Sequence, residues 1–196
     1  MAKYGAKRPI FAPILTEPDD ALPTYGAYAI IGRLIKADVT PTFASGKLYA
    51  DDALAESVDE FVQAACAMET DDMTDVIAQK IYGAEVENGE VQYKTGDTPP
   101  RGGLAFYVTL MRKGVKSYKG YYYPAVKATL GNENAQTKGD NITFGTSSTN
   151  FTIFACNTTD WRITKEFATE QAAVAWCNTK LGSTPAPITP PVDDDD

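Results

Sequence analysis

The chain has 196 residues, a formal net charge of -8, three cysteines and no histidine. That length suits one domain with a single sizeable core, and the acidity argues against a dedicated nucleic-acid binder, whose grip comes mostly from Lys and Arg on phosphate. The lack of histidine removes the commonest general base, the commonest metal ligand and every histidine-containing triad.

Met1 to Pro23 carries early Lys and Arg residues, a short apolar segment from Pro9 to Leu15, and then TEPDDALP. Its prolines disfavour a helix and predict an extended arm or edge strand followed by a turn. The opening MAKYGAKRPIF has positive charge but no apolar run behind it, which reads as no signal peptide, and no segment approaches the ~20 apolar residues of a membrane span. The expectation is a chain that starts life in the cytoplasm.

Ala27 to Val39 predicts a strand, with Ala29, Ile31, Ile35, Ala37 and Val39 on one face and Lys36 and Asp38 on the other. Thr40 to Leu54 mixes turn formers with Phe43 and Tyr49 around Ser45-Gly46-Lys47. It suits either a surface hairpin or a loop that projects aromatic and charged residues at a partner.

Ser57 to Glu69 is ambiguous. Val58, Phe61, Val62, Ala65 and Cys66 fit a helical stripe, and the alanines favour helix. Alternation also fits, with Val58, Val62, Ala64, Cys66 and Met68 against Asp59, Gln63 and Glu69, leaving Glu60 and Phe61 out of place. On residues alone helix is the reading.

Thr74 predicts a helix start through its hydroxyl, with Asp75 at the positive dipole end, Met73, Val76, Ile77 and Ile81 on one face, and Gly83 as the stop. Glu85 to Gly102, with Asn88-Gly89 and Pro99-Pro100, reads as a small hairpin and loop.

Gly103 to Thr129 is the most strongly patterned stretch. Leu104, Phe106, Val108 and Leu110 alternate with Ala105, Tyr107, Thr109 and Met111, Lys113-Gly114 can reverse the chain, and the return limb is rich in Tyr and Val. Pro124 lacks an N–H and predicts an edge or a bulge there. A polar connection follows, then strands at Ile142 to Gly145 and Asn150 to Cys156 joined by GTSST, and a short strand at Trp161 to Thr164. Thr169 caps a second helix whose apolar side is Ala173, Trp176, Cys177 and Leu181, ended by Gly182. Residues 1–182 form one domain on this reading. From Ser183 onward, STPAPITPPVDDDD has no apolar payload and predicts a disordered acidic tail or a linker stub.

The fold class expected is mainly β (α+β), a sandwich or partial barrel flanked by one or two α-helices. Cys66, Cys156 and Cys177 have no CxxC spacing and read as buried thiols in a reducing compartment. Asp19-Asp20, Asp51-Asp52 and Asp71-Asp72 read as solvated turns and a helix start, since nothing pairs them with a base or a metal ligand. No catalytic, metal or cofactor site is predicted. Tyr121-Tyr122-Tyr123 suits core or interface strand positions better than a stacking platform for sugars or bases.

Five segments taken together, AKYGAKRPIFAPI, IIGRLIKADVTPTFASGKLYADD, AFYVTLMRKGVKSYKGYYYPAVK, TKGDNITFGTSSTNFTIFA and TKEFATEQAAVAWC, resemble the major tail tube protein of long-tailed, non-contractile bacteriophages. The resemblance implies a β-sandwich flanked by a helix, six-fold rings joined into an inner barrel, and rings stacked into the tube through which the genome leaves. It implies a virion protein, assembled in the host cytoplasm, whose partners are copies of itself and the tape measure, distal tail and tail terminator proteins, with DNA passing through unbound.

It turns the Ser57 to Glu69 segment into a strand. It gives Thr40 to Leu54 the role of a projecting loop reaching the next ring, with Phe43, Lys47, Tyr49, Asp51 and Asp52 as contacts. An acidic conduit repels phosphate and lets DNA slide. Lys36, Asp38, Asp59 and Gln63 are the lumen-facing candidates. Two rival readings have discriminating features: a sandwich binding glycans through Tyr121 to Tyr123 predicts a monomer and a carbohydrate-dependent shift in stability, and an enzyme requires a deep pocket with shifted carboxylate pKa values among Asp51, Asp52 and Glu56. The tube of a contractile secretion machine has similar architecture.

Overall fold

The computed structural model describes residues 2–50, 53–71, 73–133 and 146–182, with the side chains of 2, 48–50, 53–55, 75–76 and 132–133 left aside. The fold is mainly β, built on a large antiparallel sheet. In chain order the strands are β1 (Ala2–Thr16), β2 (Thr24–Tyr25), β3 (Ala29–Ile30), β4 (Leu34–Ala50) and β5 (Ala53–Thr70). Helix α1 (Asp75–Tyr82) and a small hairpin, β6 (Glu85–Glu87) and β7 (Glu90–Gln92), come next. The remainder is β8 (Arg101–Arg112), β9 (Val115–Glu133), β10 (Ser147–Phe154), β11 (Ile163–Phe167) and helix α2 (Glu170–Lys180).

The β8–β9 hairpin is the middle of the sheet. Its turn, Lys113 at φ 47° and Gly114 at φ 82°, has the paired positive φ of a tight reversal whose twist matches the strands. On its outer side β8 pairs with β1. On its outer side β9 pairs first with β11, from Tyr118 to Tyr122, and then with β10, from Ala125 to Glu133.

Pro124 falls in the gap between those two partners, at the register shift where Gly102 faces Val126 and Leu104 faces Tyr123. The missing N–H is therefore not needed, and the bulge expected at this proline is present. The Pro124 carbonyl accepts a hydrogen bond from the Tyr25 hydroxyl at 2.7 Å.

Beyond β10 the sheet continues through β5 to β4. It curls enough that β1 and β4, far apart in strand order, come together, and Ile31 N–H donates to the Pro9 carbonyl at 2.9 Å. The result is a partial barrel. Its inner side holds Phe11, Cys66, Met68, Phe106, Tyr123 and Phe151, closed by Ile77, Ile81 and Tyr82 of α1.

The other side of β1, β8 and β9 is covered by α2, where Cys177 and Leu181 meet Ile10, Ala105 and Tyr122. Two glycines let α2 sit close. A Cβ on Gly120 would lie 2.6 Å from the Trp176 ring, and one on Gly103 would overlap Leu181. Thr169 caps this helix as expected, its hydroxyl accepting from Ala172 N–H.

Several expectations need correction. Ala27 to Val39 is not one strand, because the backbone breaks at Gly32 (φ 137°) between β3 and β4. Of the two readings of Thr40 to Leu54, the hairpin holds and the loop does not, since its described residues belong to the antiparallel pair β4 and β5. The helix read from residues alone over Ser57 to Glu69 is strand β5, as the tail-tube resemblance implied. Thr74 starts α1 without a side-chain cap, its carbonyl instead accepting from Ile77 and Ala78 N–H.

β1 pairs with β8 along one side and meets only the short β2 and β3 on the other, at Ile10, Phe11, Ile14 and Thr16, so among the described residues its first half is the edge expected and its second half is flanked. β10 begins at Ser147, so part of the GTSST turn is strand, and the short strand expected at Trp161 to Thr164 lies slightly later, in β11. The strand expected at Ile142 to Gly145 and the tail 183–196 lie outside the described residues. All three cysteines are buried free thiols.

Candidate assembly surface

The β4–β5 hairpin pairs continuously from Leu34 with Thr70 to Ala50 with Ala53. Only the root of it is covered, because β10 pairs with β5 from Thr70 to Ala64 and no further. Past that point the hairpin is a two-stranded arm. Residues 40–47 on one limb and 56–60 on the other are all exposed.

A register shift at Val62 decides which side chains share a face. Thr42 pairs with Gln63 and Phe43 with Phe61, so Val62 is the extra residue of a bulge. Above it Ala64, Cys66 and Met68 point into the barrel. Below it Phe61, Asp59 and Ser57 take that side instead. Val58 and Val62, expected on the apolar side, are 55% and 54% exposed.

Phe61 anchors the root of the arm. Its ring stacks on Trp161 at 4.5 Å and 11°, the Arg162 guanidinium lies 4.6 Å from the Trp161 ring, and Phe43 meets Phe61 edge-on at 6.0 Å. Sequence reading missed Trp161 and Arg162 as part of this surface. The signal it did hold was Phe61 out of phase with its neighbours, which is what a bulge produces.

The structure separates the residues expected at the lumen. Lys36, Asp38 and Gln63 are exposed and share the outward face of the β4–β5 sheet, while the bulge sends Asp59 to the opposite one. The outward face continues across β10 and β9 through Ala65, Ala67, Asn150, Thr152, Lys127 and Thr129. It is polar and small-sided. Lys36 donates to the Asp38 carboxylate at 2.5 Å and is paired in register with Glu69. The hydrogen bond to Asp38 and its charge hold the Lys36 ammonium above its ordinary pKa.

Among the expected contact residues, Phe43 and Lys47 are exposed on the arm. Tyr49 lies in β4 opposite Leu54, but its side chain is outside the described residues, as are Asp51 and Asp52.

Tyr121 to Tyr123 do not form an open platform. Tyr122 and Tyr123 are each 1% exposed, and the Tyr122 and Tyr25 hydroxyls are 2.5 Å apart. Burial pushes the Tyr122 phenol up to about 12. An open groove of about 390 Å³ lies elsewhere, lined by Tyr82, Tyr93, Lys94, Asp97, Lys127 and Leu130. Lys94 in it is ion-paired with Glu85. Glu56, a residue of the enzyme reading, is exposed on the arm. No helix among the described residues is long and apolar enough to cross a membrane.

Compared with family models and with curated proteins, the chain matches none.

Proposed function

We propose that this chain is a structural subunit that assembles with copies of itself into a tube, acting as the major tail tube protein of a non-contractile phage. The observation that carries the reading is the arm. A two-stranded ribbon with both faces in water is marginal alone, and among the described residues no strand pairs with the outer edge of β4. Such an element gains stability when a neighbour covers it. The anchored root, held by Phe61 on Trp161, gives the arm a fixed direction in which to meet that neighbour.

The outward face of β4, β5, β10 and β9 then lines the conduit. Of the two lysines placed on it, Lys36 and Lys127, the Lys36 charge is met by Asp38 and faces Glu69 across the strand pair, and the other side chains of this face are small or polar. DNA passing along such a wall is not gripped. The subunit belongs to the virion, and its partners are further copies and the proteins that start, measure and close the tail.

Negative-stain electron microscopy of the purified protein, with light scattering across concentration, tests this. Tubes or six-fold rings are expected. A protein that stays monomeric at every concentration, alone and with tail initiator proteins, would overturn the reading.

A further inference from the structure

The turn end of the β8–β9 hairpin gathers cations from strands distant in sequence. Lys3 pairs in register with Leu110, Lys7 with Tyr107, Lys116 with Met111 and Lys119 with Val108, while Arg112 and Lys113 lead into the turn and Lys165 of β11 stands opposite Gly120. All of these but Lys119 are exposed. The carboxylates on β1, β8, β11, α2 and the first half of β9 are Glu166 and Glu170 alone. Glu170 is bonded to Lys7 at 3.0 Å, and Glu166 lies 3.1 Å from Arg112 and 4.0 Å from Lys119. Lys3, Lys113, Lys116 and Lys165 are left without a carboxylate among the described residues.

The small hairpin β6–β7 carries the opposite charge. Asn88 at φ 52° and Gly89 at φ 77° make its turn, so that Glu85 faces Gln92, Val86 faces Val91 and Glu87 faces Glu90. The valines share the side on which Val91 packs against the barrel core, and the glutamates share the other. Glu85 is ion-paired with Lys94, whereas Glu87 and Glu90 are exposed and no ion pair among the described residues reaches either. Like charges directly opposite on a strand pair repel and weaken it. A cation brought from outside removes that repulsion.

The two charged patches are far apart in one copy. Tyr93, Lys94 and Asp97, just after the hairpin, line the open groove with Lys127 to Leu130 of β9. From Lys116 to Lys127 and to Leu130 is eleven and fourteen residues of β9, about 36 and 46 Å at the rise of a strand. We propose that the cationic turn end of one copy docks on the Glu87–Glu90 hairpin of the next, head to tail along the strand direction. The contact joins two different patches, so copies translated along the strands repeat it as an open stack with a direction. It rests on self-assembly as read above, and names the patches that meet along the stack. A nucleic acid fits the same cations less well. Lys3 and Lys119 lie on the barrel side of the sheet and Lys116 and Lys165 on the α2 side, so they do not form one track for a phosphate backbone.

Zero-length carbodiimide coupling of carboxylates to amines in concentrated protein, read by peptide mass mapping, tests the contact itself. Coupling of Glu87 or Glu90 to Lys113, Lys116 or Lys165 is expected, and at these separations it arises only between copies. It should fall at least about fivefold near 500 mM salt, where the screening length is about 4 Å. Coupling in a sample without tubes or rings would keep the contact and count against the tube alone. Absence of the coupling at every concentration, with tubes or without, would overturn the contact.

Exchanging the charges gives an independent reading, and both variants change exposed side chains only. The variant with Lys113→Glu, Lys116→Glu and Lys165→Glu, and the variant with Glu87→Lys and Glu90→Lys, should each need at least about tenfold more protein than the parent to associate in light scattering. An equal mixture of the two should return to within about threefold of the parent, because every contact then pairs opposite charges. Variants that associate as readily as the parent, or a mixture no better than its components, would overturn the proposal. So would a loss confined to the binding of a DNA duplex.

Discussion

The chain builds two long hairpins and treats them oppositely. In β8–β9 both faces are covered, one by the barrel interior and one by α2, and both outer edges are paired. In β4–β5 only the root is covered, and the arm beyond Val62 exposes both faces. The same backbone pairing therefore serves two ends: it fills a core in one hairpin and presents a surface in the other. Side chains contribute to the difference, since the middle hairpin alternates large apolar residues while the arm sets Phe43, Val58 and Val62 among small, polar and charged ones.

The largest effect is alkaline unfolding of the covered body, to which β9 contributes Tyr122, α2 Cys177 and the covered root of β5 Cys66, while the arm contributes none of the three. Burial holds the Cys66 and Cys177 thiols and the Tyr122 phenol up to about 12, from ordinary values of 9.0 and 10.0. Their folded pKa values are raised, so their contribution is fully present below pH 9 and is lost as pH rises through about 12. Urea unfolding across pH is expected to show a steep fall in that window, with Cys66 and Cys177 unreactive to thiol reagents at neutral pH.

Next comes truncation in the covered body. Phe151→Ala, at a ring 1% exposed and stacked on Phe11, is expected to cost about 3–5 kcal/mol in urea unfolding. Gly120→Ala puts a methyl group 2.6 Å from the Trp176 ring and is expected to cost about 1–3 kcal/mol, with Trp176 fluorescence changed as α2 is pushed off.

Smaller effects belong to the arm. Trp161→Ala removes the stack under Phe61 and is expected to cost about 1–2 kcal/mol while hydrogen exchange near Phe61 speeds up. Phe43→Ala, at a ring 51% exposed, is expected to change stability by less than about 1 kcal/mol yet weaken self-association. A Phe43 variant with normal assembly and much reduced stability would reverse the roles given to the two hairpins.

The covered hairpin was legible in the sequence because its signals are local. Alternation from Leu104 to Leu110, the Lys113-Gly114 turn and the Thr169 cap each decide a conformation within a few residues. The arm was less legible. Val58, Phe61 and Val62 mimic a helical stripe, and the bulge at Val62 shifts the strand phase midway, so neither period fits the whole of Ser57 to Glu69.

The same bulge puts Asp59 on the face opposite Gln63 and Glu69, with which alternation had grouped it. The Phe61–Trp161–Arg162 stack and the cationic end were not legible at all, because each joins residues from strands far apart in the chain. Lys36 and Asp38 were placed correctly on the polar side, but their ion pair depends on side-chain geometry that alternation does not give.

Hydrogen exchange measured at several protein concentrations tests the central claim most directly. In dilute protein the amides of the arm, residues 41–47 and 56–63, should exchange quickly while those of β8 and β9 stay protected, and at high concentration the arm should become protected as neighbours cover it. Arm amides that exchange equally fast at every concentration, in samples whose scattering shows assembly, would contradict the account.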